Sequence, residues 1–395
     1  MKYIDEFRDG DLARQLAQTI ARDADTGRTY HVMEFCGGHT HTIHRYGIQD
    51  LLPASVKLVH GPGCPVCVLP MSRIDNAIDL ALNHDVILCT YGDMLRVPGS
   101  PRDKGAMSLL RAKAQGADIR MVYSASDALE IARRNPQREV CFFAIGFETT
   151  TPPTAVTIQQ AAAQRLTNFT VFCNHVLTPA AIRAILDSPE LRQSDKVRID
   201  GFIGPAHVST IIGTRPYEGF AADYHEPVVV AGFEPLDVTQ AILMLVRQIN
   251  GGRAEVENQF TRAVSRDGNL KAQRIVAEVL ELRDEFEWRG LGHVPFSGLK
   301  IRNAYADFDA EQRFEIVSGG WQDNKACECA AVLRGVTAPQ DCKLFGNVCT
   351  PDTPVGPCMV SSEGACAAHY TYGRLRLRQS ATETNRVHDL DRVAE

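Results

Sequence analysis

Short apolar runs alternate with amphipathic stretches over residues 28–230 of this chain. The apolar runs are continuous in Val, Ile, Leu and Phe, which is the pattern of parallel strands covered on both faces. They predict eight strands: Thr29–Phe35, Val56–His60, Val86–Thr90, Ile119–Val122, Val140–Ile145, Thr170–Cys173, Ile199–Ile203 and Val228–Ala231. Between them, helices are predicted at Met71–Asn83, Asp103–Gln115, Ala125–Arg134, Pro153–Gln164 and Pro179–Asp187. This alternation indicates an α/β fold.

The near-regular repeat of strands and helices favours two related, doubly wound parallel-sheet lobes, at residues 28–118 and 119–252. An N-terminal helix within residues 1–27 precedes them, and its packing partner is not predicted. Further helices are expected at Asp237–Asn250 and Ala272–Phe286. Residues 253–378 are predicted to form a smaller, mostly helical and loop-rich third domain. Residues 379–395 are polar without apolar periodicity and predict a mobile tail.

Composition limits the classes of function. The 395 residues are 44% hydrophobic and 23% charged, with a net charge of −6, so nucleic acid is not an expected partner. There is no secretory signal and no apolar run long enough to cross a membrane, so we expect a cytoplasmic protein without membrane contact. Thiols stay reduced in that compartment, where cysteine clusters are more often metal or redox sites than structural disulfides.

Six of the twelve cysteines lie in one late segment that is rich in Gly and Pro: Cys327, Cys329, Cys342, Cys349, Cys358 and Cys366. Such a segment has too little apolar surface to fold around a core of its own, so a metal or covalent links must hold it. Four thiolates can bind an iron–sulfur cluster or a zinc ion, and two cysteines then remain for a disulfide.

Chemically distinctive residues follow several predicted strands. Cys36 is followed by two glycines and then by His39 and His41, which suggests a thiol with imidazole ligands or proton-transfer groups beside it. A helix beginning there would lower the thiol pKa. Glu148, in Gly-Phe-Glu-Thr-Thr, is a candidate because a carboxylate at such a position is costly unless it is exposed in a cleft or paired. Ligands of open α/β sheets bind at these strand ends.

Cys64 and Cys67 form a CxxC motif, which suits a dithiol/disulfide couple or half of a metal site. The redox role is favoured because no second CxxC is present, although zinc shared with Cys36 and a histidine stays open. Other residues receive structural interpretations: Cys89, Cys141 and Cys173 inside strands, and His175 and His207 at strand ends.

Together these motifs resemble the HypD family of NiFe-hydrogenase maturation factors. The resemblance covers about residues 3–375 and is carried by Glu34-Phe35-Cys36-Gly37-Gly38-His39-Thr40-His41, Gly61-Pro62-Gly63-Cys64-Pro65-Val66-Cys67, Gly146-Phe147-Glu148-Thr149-Thr150 and the cysteine-rich end. It implies two α/β lobes of related topology and a third domain that holds a 4Fe-4S cluster. The family's cluster spacing, Cys-x14-Cys-x6-Cys-x16-Cys, is met by Cys327, Cys342, Cys349 and Cys366.

The resemblance also implies roles for the remaining cysteines. Cys329 and Cys358 would be a redox pair beside the cluster, Cys64 and Cys67 a second pair between cluster and cleft, and Cys36 the ligand of an iron ion under assembly. The family works with a small HypC-type partner as the scaffold on which iron receives two cyanides and one carbon monoxide, giving a transient Fe(CN)2CO unit. Cyanide comes from a HypE-type protein, and the hydrogenase large subunit receives the product.

The residues leave two other functions open. A freestanding iron–sulfur thiol/disulfide oxidoreductase would use Cys64 and Cys67 on protein partners, and a zinc-stabilised interaction scaffold would have no redox chemistry. The assembly function makes two geometric predictions. Cys36 should be exposed in a cleft between the lobes with His39 nearby, and the Cys64 and Cys67 sulfurs should be within disulfide distance on the side that faces the cluster domain.

Overall fold

Two parallel β-sheets form the framework of the computed structural model, which describes residues 4–101, 106–188, 198–316 and 324–373. Their strands are β1 Tyr30–Glu34, β2 Val56–His60, β3 Val86–Thr90, β4 Ile119–Met121, β5 Glu139–Gly146, β6 Phe169–His175, β7 Gly201–Pro205, β8 Val228–Ala231 and β9 Val256–Asn258. One sheet has the order β2-β1-β7-β8-β9 and the other β4-β3-β5-β6, with every neighbouring pair parallel. The predicted α/β class with two sheet lobes is confirmed.

The lobes do not divide at residue 118. The chain builds β1 and β2, leaves to complete the second sheet with β3 to β6, and returns with β7 to β9. The prediction that residues 28–118 and 119–252 form separate lobes is therefore wrong. Apolar runs of adjacent strands look alike in either sheet, so the sequence pattern does not reveal which strands pair.

The two sheets share one strand order. When the strands of each sheet are numbered in chain order, both sheets have the spatial order 2-1-3-4. The first sheet has a fifth strand at its edge. In this topology the connections reverse direction between the first and third strands, and a crevice opens at their carboxyl ends. The crevices therefore lie after β1 and β7 in one lobe and after β3 and β5 in the other.

Helices cover both faces of the sheets. In β5, Phe143 faces one hydrophobic core and Phe142 faces another, so the continuous apolar run is explained by burial on both sides. The helices span Gly10–Asp23, Gly37–Tyr46, Ile48–Leu51, Pro65–Val68, Met71–Asn83, Leu109–Ala114, Ala125–Arg134, Thr151–Ala163, Thr178–Leu186, Ala206–Ile212, Glu218–Tyr224, Pro235–Asn250, Leu270–Val279, Ala310–Arg313, Cys329–Leu333 and Ala365–Ala368. None of those in the described residues is long and apolar enough to cross a membrane.

The N-terminal helix Gly10–Asp23 packs on the helix Pro235–Asn250 of the first lobe. Ile20 is fully buried between them, and Asp23 accepts a hydrogen bond of 2.9 Å from the Arg247 Nε. This identifies the packing partner that the sequence left open. The helix Gly10–Asp23 is thus part of the first lobe.

The described residues after Gly252 differ in secondary structure from what the sequence predicts. β9 still belongs to the first sheet, and the predicted helix Ala272–Phe286 ends at Val279. The chain continues into two antiparallel pairs, β10 Leu280–Leu282 with β13 Leu299–Ile301 and β11 Glu285–Trp288 with β12 Gly292–Pro295. Alternating burial in β11 shows that the periodicity there is two, not 3.6. The predicted tail, residues 379–395, lies outside the described residues.

Gly213 allows a test of the steric constraints on the backbone. It follows the helix Ala206–Ile212 at φ +78° and ψ −172°, a conformation essentially limited to glycine, and a Cβ there would lie 2.1 Å from the Arg266 carbonyl oxygen. We expect Gly213→Ala to lower the free energy of unfolding by about 3 kcal/mol. Gly252→Ala, at φ +61° with open space around it, should cost only about 1 kcal/mol. Denaturant unfolding followed by circular dichroism measures both, and equal losses would contradict the steric argument.

Candidate functional site

A cleft of about 700 Å³ lies where the carboxyl ends of strands from both sheets meet. Its walls come from the loops after β2, β3, β4, β5, β7 and β8 and from a short segment of the cysteine-rich region. The lining residues include Gly38, Gly63, Tyr91, Asp93, Thr149, Thr150, His207, Phe233 and Glu363. The strand order alone predicts a ligand site at this place.

Cys36 lies at the edge of this cleft, directly after β1 and at the start of the helix Gly37–Tyr46. Its Sγ is 3.4 Å from the Nδ1 of His207, which follows β7. Only 2% of Cys36 is exposed, so the prediction of an exposed thiol is wrong. The cause is the cysteine-rich region, which packs against the first turn of this helix in a way the sequence pattern does not show.

The glycines around Cys36 make room for neighbouring protein atoms. A Cβ on Gly37 would lie 2.3 Å from the Glu363 Cβ, and one on Gly38 would lie 2.7 Å from the Phe233 ring. A Cβ on Gly63 would lie 2.4 Å from the Cys36 backbone nitrogen. These glycines permit close packing that shields the thiol.

Burial also determines the protonation of Cys36 and His207. It raises the pKa of the Cys36 thiol well above its ordinary value, and the lowering effect of the Gly38 and His39 backbone N–H groups is smaller. The expected low thiol pKa is therefore wrong. Burial lowers the pKa of His207 to about 4. At neutral pH a protonated thiol thus lies beside an uncharged imidazole, which can accept its proton.

The imidazole rings of His39 and His41 make their hydrogen bonds to groups other than the Cys36 sulfur. His39 is fully buried, and its Nε2 donates to the carbonyl oxygens of Ala231 and Gly232, both at 3.0 Å. Because carbonyls only accept, this nitrogen carries the proton, and Nδ1 has no partner among the described atoms. The His41 Nε2 is 2.8 Å from the Tyr372 hydroxyl and lines a separate pocket of about 330 Å³. The cleft histidine is therefore His207, which the sequence analysis treated as structural.

Cys64 and Cys67 form a disulfide, as the CxxC spacing predicts. Both sulfurs are buried, and the Cys67 Sγ lies 4.0 Å from the Pro357 carbonyl oxygen, next to Cys358. The pair therefore faces the cysteine-rich region, as predicted. Cys89, Cys141 and Cys173 are fully buried within β3, β5 and β6, in agreement with their structural interpretation.

Thiols converge in the cysteine-rich region. The Cys329 thiol is within hydrogen-bond reach of Cys327 and Cys358, and with burial it raises the pKa of both. The Cys349 Sγ accepts from the Val355 N–H at 3.4 Å, and Cys366 is buried beside Cys358. Cys342 is half-buried at the end of the turn Pro339–Asp341, in the loop that leads to Cys349.

This donor set fits a thiolate-bound cluster. Gly356 has no side chain where the sulfurs gather, and a Cβ there would lie 2.4 Å from the Cys327 Sγ and 2.5 Å from the Cys329 Sγ. Buried thiols with raised pKa values give up their protons when a metal supplies positive charge. Within the described ranges, no three His, Cys, Asp or Glu side chains are arranged to hold a single metal ion.

Glu148 does not line the cleft, although Phe147 and Thr149 on either side of it do. Its carboxyl oxygens accept hydrogen bonds from the Thr178 backbone N–H at 2.8 Å and the Thr178 hydroxyl at 3.0 Å. The carboxyl group thereby binds the start of the helix Thr178–Leu186. Of the two options in the sequence argument, exposure in a cleft or pairing, the structure shows pairing.

Comparison with known proteins gives one consistent result. A family model described as "HypD: Hydrogenase formation hypA family" matches residues 11–373. The hydrogenase maturation factor HypD of Cupriavidus necator is 66% identical over 376 residues, which are 95% of this chain and 98% of that protein. HypD of Escherichia coli K12 is 46% identical over 377 residues, 94% of this chain and 98% of that protein.

The burial of the Glu148 carboxyl group leads to a prediction about how the free energy of unfolding depends on pH. Burial raises its pKa to about 7. The folded state then holds the proton more tightly than the unfolded chain, so this stabilisation is complete below about pH 4 and is lost as the pH rises through about 7. Relative to Glu148→Gln, which cannot ionise, the wild-type free energy of unfolding should fall by roughly 3 kcal/mol between pH 4 and pH 8. Unfolding curves across this range measure it, with Glu287→Gln on the surface as control; parallel wild-type and Glu148→Gln profiles would contradict it.

Proposed function

Because the chain belongs to the HypD family of hydrogenase maturation factors, we propose that it is the scaffold on which an Fe(CN)2CO unit is assembled together with a HypC-type partner. One observation carries the proposal: the Cys36 thiol lies at the switch point of its sheet, 3.4 Å from the His207 Nδ1 and beside the cleft between the lobes. The arrangement offers one soft ligand, a neighbouring imidazole and a cleft beside them.

Iron is the substrate of this reaction. Iron that carries cyanide and carbon monoxide favours a soft thiolate ligand, which Cys36 provides once its proton has left. The neighbouring group is His207, whose Nδ1 lies 3.4 Å from the sulfur and would hydrogen-bond the thiol before iron binds. The cleft beside this pair has a volume of about 700 Å³, and its walls include apolar side chains such as Phe147 and Phe233.

The partner surfaces are at the mouth of the cleft. Met121 and Tyr123 line it and are 48% and 85% exposed, which is unusual for large side chains and suits docking of another protein. We propose that the HypC-type partner and the HypE-type cyanide donor reach Cys36 from this side. The hydrogenase large subunit would receive the finished unit through the HypC-type partner.

The Cys64 and Cys67 thiols would supply the electrons that release of cyanide from its donor requires. If cyanide arrives as a protein thiocyanate, R–S–C≡N, its release needs two electrons and one proton and leaves R–SH and CN⁻. Oxidation of the Cys64 and Cys67 thiols to their disulfide supplies two electrons and two protons. The Cys64–Cys67 disulfide would be the oxidised product of such a step. Cys358 follows Pro357, whose carbonyl oxygen is 4.0 Å from the Cys67 Sγ, and with Cys329 it would reduce the disulfide again.

We assign Cys327, Cys342, Cys349 and Cys366 as the ligands of a 4Fe-4S cluster. When bound, the cluster would supply electrons one at a time. The chain's own contribution is the buried pocket around Gly356, which brings the cysteine loops together and places Cys329 and Cys358 beside the ligands.

The alternative of a freestanding disulfide oxidoreductase is less well supported. Thiol–disulfide exchange requires an attacking thiolate to approach the disulfide sulfurs directly. Cys64 is 3% exposed and Cys67 is fully buried beneath the turn Pro357–Met359, so exchange inside the chain is favoured over exchange with a partner protein. This function also leaves Cys36 and His207 without a role.

Replacement of Cys36 tests the scaffold. In an anaerobically purified complex with the HypC-type partner, Cys36→Ala should abolish the infrared bands of iron-bound cyanide and carbon monoxide, because iron loses its thiolate. The C-terminal cluster spectrum should be unchanged. Cys89→Ala removes a buried thiol that does not line the cleft and should leave all bands in place. A Cys36→Ala complex with the full set of bands would disprove the proposal.

Serine substitutions test the cluster ligands. Cys342→Ser and Cys349→Ser should each lower the iron content and bleach the visible absorption of the cluster, since serine is a poor ligand for iron in such clusters. Cys329→Ser is the matched control in the same pocket and should retain the cluster. Iron analysis with visible and Mössbauer spectra provides the readout, and a cluster that survives loss of Cys342 while disappearing with Cys329 would reverse the assignment.

A further inference from the structure

A buried polar group is hydrogen-bonded to the backbone of Cys36. The Glu34 carboxyl group is fully buried at the end of β1. It accepts hydrogen bonds from the Cys36 backbone N–H at 3.0 Å, from the Thr40 hydroxyl, and from the His60 Nδ1 at 2.8 Å. Such a group is costly to bury unless its oxygens are satisfied, and here three donors satisfy them.

The chain of hydrogen bonds continues beyond Glu34. The His60 Nε2 lies 3.1 Å from the His44 Nε2, so one of these two nitrogens donates to the other. The rings of His44 and His60 are 5.1 Å apart, and His44 meets His369 of the cysteine-rich region edge-on, also at 5.1 Å. A line of polar groups therefore runs from Cys36 to the third domain.

Stability alone does not explain this arrangement. Replacing a buried ionisable pair with apolar residues of similar volume is often neutral or stabilising, so a fold gains little from keeping one. Glu34 also binds a specific target, the backbone N–H of the residue whose thiol contacts the cleft residue His207. Hydrogen-bond partners behind a metal ligand fix its direction, and their loss typically weakens metal binding.

We propose that Glu34, His60 and His44 form a positioning network for the Cys36 thiol, which holds the backbone of Cys36 so that its sulfur meets the incoming iron. This inference rests on the proposed function, because Cys36 is the iron ligand there. His60 acts through Glu34 and does not touch the iron. His44 holds His60 in the orientation that directs its Nδ1 at the carboxyl group.

The test is an anaerobic titration of the full-length, cluster-loaded protein with ferrous iron alone, with the signal of Cys36→Ala subtracted. His60→Leu removes the donor to Glu34 and should weaken iron binding by about ten- to one hundredfold. His60→Asn places an amide N–H near the position of the lost Nδ1 and should restore most of the affinity. His293→Leu, at an exposed histidine that pairs with Glu285, should have no effect.

Rescue by asparagine separates a hydrogen-bonding role from a packing role. If His60→Asn binds iron as weakly as His60→Leu, or if a folded His60→Leu binds within twofold of wild type, the proposal is overturned. Glu34→Gln decides the matter if His60→Leu does not fold, because one amide oxygen cannot serve three donors. It should also weaken iron binding, and wild-type affinity would overturn the proposal.

The outcomes for the proposed function are different. Wild-type protein that binds ferrous iron through Cys36, while its complex shows no cyanide or carbon monoxide bands, would remove the assembly function and leave the positioning network intact. Conversely, full bands in the wild-type complex together with unchanged affinity in His60→Leu and Glu34→Gln would remove only the network.

Discussion

The parallel pairing of β1 with β7 is the constraint on which the site depends. Glu34 of β1 lies opposite Ile203 of β7, so both strands end at the same edge of the sheet. Cys36 and His207 are 171 residues apart in the chain, yet their side chains come within 3.4 Å. The second sheet repeats the strand order and brings its own switch point to the opposite wall of the cleft. The strand order thus positions the site, and the residues that follow the strands provide its chemical groups.

Much of the fold follows from local pattern. Continuous apolar runs predicted β1 to β8 but not β9, and β2, β3 and β8 have the predicted limits. The division into lobes did not follow, because pairing depends on contacts between strands far apart in sequence. The helix predicted over residues 272–286 also ended early, since packing of β10 against β13 outweighs local helix propensity in that segment.

The site was predictable in its residue types and less so in its geometry. The CxxC motif indicated the disulfide because three-residue spacing limits the distance between the sulfurs. The burial of Cys36 was not predictable, because Glu363, which packs on Gly37, comes from a segment more than 300 residues later. His207 was missed for the same reason: a single histidine after a strand gives no local sign of its partner. The Gly-Pro-Ala-His sequence at a strand end was the available signal.

Burial unifies these features. It raises the pKa of the Cys36 thiol, covers the Cys64–Cys67 disulfide, and requires that Glu34 be fully hydrogen-bonded. The most direct test is a crystal structure of the iron-loaded complex with anomalous scattering measured at the iron edge. We predict an iron peak within bonding distance of the Cys36 Sγ, separate from the cluster, with His207 moved off the sulfur. Iron density confined to the cysteine-rich region, with Cys36 still paired to His207, would contradict the account.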